Sequence, residues 1–526
     1  MHDVIVVGAG SAGCVLAEKL SRDPSRRVLL VEAGGRDGHV FLRMPAGVVK
    51  AIGNPRFDWR FETVPQPHMD GRRLGVPRGR VLGGSSAINA LVYMRGQPAD
   101  FDAWAEMGCD GWGWADVLPA FREVEGNARG PESHHGRDGP LTVSDPESGN
   151  PVYAAFVEAG RQMGFPVTED FNGPAPLGFG PYQLNIRGGR RWSAADAFLH
   201  PAARRPNLEV RPGALVTGLM TEGARVTGVR LGAQEVPAGH VVLAAGAIGT
   251  PHLMLLSGIG PADDLRAHGI EVAADRPGVG ANLHDHLEAK VKHRMTAPLS
   301  MWRHARFPAN LVTGAQWLLT GTGAGRQQGL EAGAMIRLAP GEGPPDTQLH
   351  FVNALSFDGA TAADRGHGFA IDTTQVQPLS RGRLTLASAD PTKPPAIDPN
   401  YLAEEADRVA MRAGLKMLRD LCRQPALARY AGEEVRPGPD VTDDAGLDAV
   451  IRATADSIYH PVGTARMGPA ADPLAVVDPS TMAVHGVAGL SVADASVMPR
   501  ITSGNTHAPA VMIGTKGADL IAAALD

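Results

Sequence analysis

Cysteine is scarce in this chain. Only Cys14, Cys109 and Cys422 occur among 526 residues, at separations that make neither a metal cluster nor a redox pair, so disulfides, structural metal and thiol chemistry are not expected. Cys14 falls in a helical stretch, where it reads as a small buried side chain. Basic charge is not in excess either: the formal net charge is −6, which gives no reason to expect a nucleic acid as partner. With the first strand so near the start of the sequence, no basic, apolar, cleavable leader is expected, and cytoplasmic residence is the expectation. One uncharged run, Val241 to Ala262, is long enough to suggest a membrane span. Gly246, Gly249, Pro251 and Gly258 break it into a strand, a turn and a short buried helix instead.

What is present is the composition of a soluble globular protein, 43% hydrophobic and 20% charged, long enough for two or three domains' worth of core. Its most informative stretch comes first. Val4-Ile5-Val6-Val7 is an apolar run of strand length, Gly8-Ala9-Gly10-Ser11-Ala12-Gly13 follows, and Cys14 to Leu20 is helical in pattern. In such a turn Gly8 permits the bend, Gly10 lets a pyrophosphate approach the backbone at the helix N-terminus, and Gly13 lets helix and strand pack closely. A second strand, Val28-Leu29-Leu30-Val31, ends in Glu32, about twenty residues past the glycines, where a carboxylate can accept both ribose hydroxyls. This predicts an ADP-containing dinucleotide. Glu32 repels a 2′-phosphate and so argues against NADP, leaving NAD and FAD open at this point.

Further on, Gly79-Arg80-Val81-Leu82-Gly83-Gly84-Ser85-Ser86-Ala87-Ile88-Asn89-Ala90 packs two small-residue turns together and reads as leading into a second helix aimed at a cofactor. Continued through Tyr93, Arg95, Gly96 and Asp102, the stretch resembles a signature of the glucose-methanol-choline (GMC) family of flavin oxidoreductases. A second block, the strand Val241 to Ala245 followed by Gly246-Ala247-Ile248-Gly249-Thr250-Pro251 and Ser257-Gly258-Ile259-Gly260-Pro261, is similar to another signature of that family. The resemblance covers essentially the whole chain, with its motifs in order. It implies FAD as the dinucleotide. Some relatives tether the flavin covalently to a His at the position of Ile88, so Ile88 implies non-covalent FAD.

Other segments carry structural readings. Pro151 to Gly164 reads as an amphipathic helix and Asn172 to Arg191 as a loop-rich crossing over the pocket. Asn207 to Val210 and Val226 to Leu231 read as strands of an antiparallel insert. His134-His135 lies in a turn, and His284-Asp285-His286 could be mistaken for a metal H-x-H, but neither has further ligands at a usable spacing, so no metal is expected. Trp302 to Leu319 reads as largely helical, with core packing of Phe307, Leu311, Trp317 and Leu318 expected over a membrane-surface or lid role. Gln348 to Val352 and Gly382 to Leu386 alternate like antiparallel strands, and a long helix is expected over about Ala403 to Arg423.

Oxidising an alcohol removes a hydroxyl proton and a carbon-bound hydride, so it needs a base beside the hydride acceptor. Histidine, with an ordinary pKa of about 6.5, suits the first task, whereas asparagine can orient a hydroxyl but not deprotonate it. By resemblance, His460 in Tyr459-His460-Pro461-Val462-Gly463-Thr464 matches the family's active-site His, and Asn505 in Gly504-Asn505-Thr506-His507-Ala508-Pro509 its partner. A two-residue slip would put His507 there instead. The implied mechanism has His460 take the proton, Asn505 hydrogen-bond the oxygen, and hydride pass to flavin N5. The resemblance implies cofactor contacts at Gly8, Gly10, Ser11, Ala12, Gly13, Glu32, Ala33, Arg80, Gly83, Gly84, Ser85, Asn89, Ala90, Leu91, Val92, Val216, Ala245, Gly246, Asp494, Ala495, Asn505, Thr506 and His507.

The expected architecture is a doubly wound, Rossmann-like α/β FAD domain made of residues 1–150, 192–283 and 460–526. It carries a substrate domain, residues 151–191 and 284–459, on a largely antiparallel sheet backed by helices. The expected function is FAD-dependent oxidation of an alcohol, primary by preference, to the aldehyde, as in alcohol or choline-type dehydrogenases and oxidases of the family. The electron acceptor is oxygen, a quinone or another carrier. A quinone would bring the protein to the inner face of a membrane by peripheral contact. Two other classes stay open: a hydroxynitrile lyase with redox-inert FAD, which the same scaffold hosts, and a dinucleotide-binding protein without turnover.

Overall fold

The structure is a computed structural model that describes residues 2–130, 133–355 and 365–526. The apolar run at the amino terminus forms the strand His2–Val7, which pairs in parallel with Val28–Glu32 on one side and Gln234–Leu243 on the other. Leu208–Pro212 adds to the outer side of Val28–Glu32, and Leu490–Val492 to the second half of Gln234–Leu243, both in parallel. The strands Val4 to Val7, Val28 to Val31 and Val241 to Leu243 are buried, as a parallel sheet covered by helices on both faces requires. Helix Ser11–Leu20 follows the first glycine turn, and the last helix, His507–Leu525, packs against it. Gly514 makes that contact close, since a Cβ there would sit 2.8 Å from the Cα of Ala12. His507–Leu525 is long and apolar enough to cross a membrane by composition, but more than half of it is buried inside the protein.

A second, antiparallel sheet runs in the order Ala431–Arg436, Leu287–Met295, Gly368–Gln375, Thr347–Val352, Ala332–Ile336, Gly178–Pro181, with Asp456–Ser457 pairing at the start of Leu287–Met295. Period-two alternation sorts its side chains. Ala289, Val291, Ala334, Leu349, Phe351 and Ile371 join one core with Met411, Leu415, Leu418 and Leu421 from the helix Glu405–Arg423. The register puts Lys290, Asp372 and His350 side by side on the opposite face. That face looks toward the first sheet, and the cavity lies between them.

Three expectations are corrected. Leu208–Pro212 belongs to the parallel sheet, not to an antiparallel insert; only Gly218–Glu222 and Arg225–Leu231 form the antiparallel extension of Gln234–Leu243. No long helix follows Ser85-Ser86-Ala87. The single turn Gly84–Ala87 ends where the Asn89 side chain accepts from the Leu91 amide and Leu91 takes a left-handed φ of 70°. Residues 302–319 are largely helical as expected, in Trp302–Ala305 and Ala309–Thr320 with Pro308 between them. Their apolar side chains do not build core: Phe307 is 79% exposed, Leu311 62% and Leu318 62%, while Trp317 is buried and donates its indole N–H to Gly189 O.

Candidate active site

The cavity between the sheets measures about 1230 Å³, above the ~300–1,000 Å³ of usual ligand sites and large enough for a dinucleotide and a substrate together. Its amino-terminal wall is built from the glycine turns. Gly8 holds a φ of +101°, and a Cβ on Gly13 would lie 1.8 Å from Gly8 O, so helix and strand meet as closely as glycine allows. Gly83 N–H donates to Ala9 O, and a Cβ on Gly84 would lie 2.6 Å from the Cα of Gly10: the second glycine turn is docked on the first. At Gly10 itself nothing comes nearer than 4.0 Å, which leaves the backbone open to a ligand. No side chain caps helix Ser11–Leu20 and no acidic residue stands in its first turn; the same holds for His507–Leu525. Both helix N-termini therefore keep amide donors for an anionic group.

Glu32 closes this wall. Its two oxygens accept from Ala9 N at 3.0 Å and Gly34 N at 2.8 Å, which fixes the carboxylate and leaves each oxygen a lone pair for a ribose hydroxyl. Burial lifts its pKa to about 7 against the pull of those amides and of Arg80. On the far side, Asp494 binds Gly246 N and the Thr250 hydroxyl through Oδ2 and Ser496 N through Oδ1. His507 Nδ1 lies 2.9 Å from the Ser11 hydroxyl, joining the two helix N-termini; burial, with help from Arg191, lowers its pKa to about 4, so the ring is neutral. The open glycine backbone, uncapped helix ends and anchored carboxylate fit FAD. Ile88 lines the cavity, and its hydrocarbon side chain offers no atom for a covalent link to the cofactor.

His460 stands at the junction of the two sheets. Its Nδ1 is 3.0 Å from Nδ1 of His286, whose Nε2 is 2.9 Å from Val376 O. A carbonyl can only accept, so His286 carries its proton on Nε2 and offers a lone pair at Nδ1. His460 must then donate from Nδ1, which leaves its Nε2 as a lone pair. That atom faces Asn505, whose Nδ2 is 3.3 Å away. Asn505 is oriented by a similar chain: the Tyr182 hydroxyl donates to Leu349 O, Gln348 Nε2 donates to Tyr182 and to Asn505 Oδ1, and the Asn505 N–H groups are turned toward His460. Burial, with His286, His350 and Arg78 nearby, holds the His460 pKa well below its usual 6.5.

The backbone of His460 is anchored as well. Buried Asp285 accepts from His460 N at 2.7 Å and His286 N at 2.9 Å through one oxygen, and from the Tyr401 and Ser457 hydroxyls, both at 2.5 Å, through the other. Tyr459, just before the ring, has a φ of 69°, and its carbonyl accepts from Arg78. A bulky residue in this region is strained and persists only where its surroundings over-determine it.

Of the residues singled out in the sequence, Gly8, Gly10, Ser11, Ala12, Glu32, Ala33, Gly84, Ser85, Asn89, Ala90, Leu91, Val92, Val216, Ala245, Gly246, His460, Asp494, Ala495, Asn505, Thr506 and His507 line one cavity. Gly13, Arg80 and Gly83 are not in its wall. The two glycines support the turns from behind, and the Arg80 guanidinium lies over the Trp59 ring, 4.8 Å from its centre. His286, Asp285, Gln348 and Tyr182 were missed. The H-D-H pattern held the one available signal, which was weighed only as a metal motif. Of the two histidine pairs, His135 is buried between Glu125 and Asp170, and His284 Nε2 lies 2.9 Å from Asn282 Oδ1. Among the described residues one group has metal-like spacing, Asp37, Asp196 and His200, and there His200 is ion-paired with Asp37 at 2.8 Å.

Comparison with known proteins is consistent over the whole length. Family models described as GMC oxidoreductase match residues 2–288 and 378–514. Oxygen-dependent choline dehydrogenase of Brucella anthropi is 43% identical, over 99% of this chain and 95% of its own, and that of Rhizobium etli is also 43% identical with the same coverage. Among solved structures, pyridoxine 4-oxidase from Mesorbium loti is similar with a TM-score of 0.89 at 35% identity, covering 99% of both chains. A formate oxidase superposes with a TM-score of 0.91 at 28% identity, covering 99% of this chain and 98% of its own.

Proposed function

The chain belongs to the GMC oxidoreductase family, and from that premise we infer its reaction: FAD-dependent oxidation of an alcohol to the carbonyl compound. When bound, FAD supplies the acceptor for the hydride that leaves the alcohol carbon. The observation that carries the role of the protein is the His286–His460 relay, which presents an unprotonated Nε2 to the cavity. An alcohol placed between His460 and Asn505 donates its hydroxyl proton toward that lone pair and accepts from the Asn505 amide. As negative charge grows on the oxygen, the amide donor, fixed in direction by Gln348, stabilises it without having to reorient. Gly8, Gly10, the uncapped start of Ser11–Leu20 and Glu32 would hold the ADP half of the cofactor. His507 and the turn before it would hold the flavin end.

The test is anaerobic mixing of the FAD-loaded enzyme with a panel of alcohols. Bleaching of the oxidised flavin absorbance supports oxidation, and unchanged flavin with every alcohol refutes it. Admission of air then asks whether oxygen takes the electrons, the acceptor favoured by the names of the similar choline dehydrogenases and oxidases. Residence in the cytoplasm with peripheral contact at a membrane is part of the same proposal. Its membrane part is supported by the exposed Phe307, Leu311, Leu318 and Leu319; cell fractionation that leaves all the protein in the soluble pool at low salt overturns that part.

A further inference from the structure

The turn Gly84–Ala87 is braced from behind by a buried cation. Ile186–Arg187 and Arg190–Arg191 form a short hairpin. Successive strand residues face opposite ways, so Arg190 stays exposed and Arg191 turns inward, where it is 2% exposed. Its Nη1 donates to Ser86 O at 3.2 Å and to Asn89 Oδ1 at 2.8 Å. Ser86 and Asn89 both line the cavity, and the turn that carries Ser86 is docked on Gly10. Arg191 thus stands one layer behind the wall and close to His507, whose ring reaches the Ser11 hydroxyl.

The protein does not compensate this guanidinium. Among the described residues its Nε and Nη2 atoms are buried without a hydrogen-bond partner, and no carboxylate forms an ion pair with it. Asp196 acts on it through space, but Oδ2 of Asp196 is taken by Ser193 N at 3.1 Å and by the Ser193 hydroxyl at 2.7 Å. Burial pulls the Arg191 pKa down to about 9, which still leaves it charged at neutral pH. His507 is neutral and adds no charge, while Arg80 lies over Trp59 and acts on Glu32. An uncompensated buried charge is costly, and it persists where an opposite charge comes close. The open glycine backbone and the two uncapped helix starts contribute partial charges only.

We propose that Arg191 is the counter-charge for the diphosphate of the cofactor, a positioning residue that holds Ser86 and Asn89 in the wall and supplies the full positive charge the backbone dipoles lack. The inference goes beyond the alcohol-oxidation reading and stands whichever alcohol is used.

The test displaces FAD from the loaded enzyme with ADP or with adenosine and follows the fluorescence of the released flavin. ADP presents a diphosphate to the wall and adenosine presents none. In the unmodified enzyme ADP is expected to act at a concentration at least about a hundredfold lower. Arg191→Met is expected to hold FAD at least about tenfold less tightly and to cut the preference for ADP over adenosine by about the same factor. Arg191→Lys keeps the charge and should recover most of both losses. Arg191→Gln keeps a donor for Asn89 but no charge, and should recover neither. Three results overturn the proposal: an equal effect of ADP and adenosine on the unmodified enzyme, a preference within twofold of the original in Arg191→Met, or recovery by Arg191→Gln as full as by Arg191→Lys, which would make the side chain a hydrogen-bonded prop. The comparison in the unmodified enzyme stands without the variants should they fail to fold.

Discussion

Replacing His286 by Phe keeps a ring in place but removes the atom that accepts the Nδ1 proton of His460. The buried N–H at 3.0 Å then has two outcomes. If the proton stays on Nδ1, a buried donor goes unsatisfied, at about 1–3 kcal/mol. If it moves to Nε2, that cost is relieved, but the base now points a proton at the substrate hydroxyl and at the Asn505 N–H. Charged entirely to the tautomer equilibrium, ~1–3 kcal/mol corresponds to roughly a 5- to 150-fold loss of the active form, at about 1.4 kcal/mol per tenfold. The expected result is therefore a fall in the flavin reduction rate of that size at saturating alcohol, with FAD content and substrate affinity retained. His286 also lowers the His460 pKa, so the acid limb of the rate profile should move to higher pH in the variant. His286→Gln, which can offer an amide oxygen to His460 and an N–H to Val376 O, should recover part of the rate. A His286→Phe enzyme with full FAD, a rate within twofold of the unmodified protein and an unmoved pH profile would refute the relay.

Three further outcomes follow from the same geometry. His460→Ala should lose about 10²–10⁴-fold in flavin reduction, the usual contribution of a positioned base, while retaining the yellow cofactor. Because the His460 pKa sits below 6.5, the ring is already neutral at that pH; stopped-flow rates should be level above it and fall only as more acidic solution protonates Nε2. Gly13→Ala brings a methyl to 1.8 Å from Gly8 O, so either the helix or the turn must shift. Calorimetry and cofactor content should show a destabilisation of at least ~1–3 kcal/mol and weakened FAD retention.

Local patterns in the chain were enough for the doubly wound sheet, because its strands are continuous apolar runs closed by glycine turns, and for helix Glu405–Arg423, whose apolar stripe is self-contained. The edge strand Leu208–Pro212 was misassigned because its partner, Val28–Glu32, lies far away in the chain and parallel pairing leaves no local signature. The relay was illegible for the same reason: His286 and His460 are 174 positions apart. The alternation of Glu288 and Lys290 with apolar neighbours resembles a strand with one face in water. What makes that face a cavity wall is the other sheet, which no local window contains. In Ala309–Thr320 apolar content alone suggested core, and nothing in the pattern separates a buried stripe from an exposed one when only Trp317 is anchored.

The contact between Ser11 and His507 carries a consequence for biosynthesis. Helix Ser11–Leu20 finds its companion 496 positions further along the chain, and Gly514 cannot settle on Ala12 before that stretch is made. Until His507–Leu525 has been translated the nucleotide cradle has one wall missing, so flavin capture waits for that helix. Nascent chains stalled short of residue 507 should emerge colourless even with their opening βαβ unit already formed.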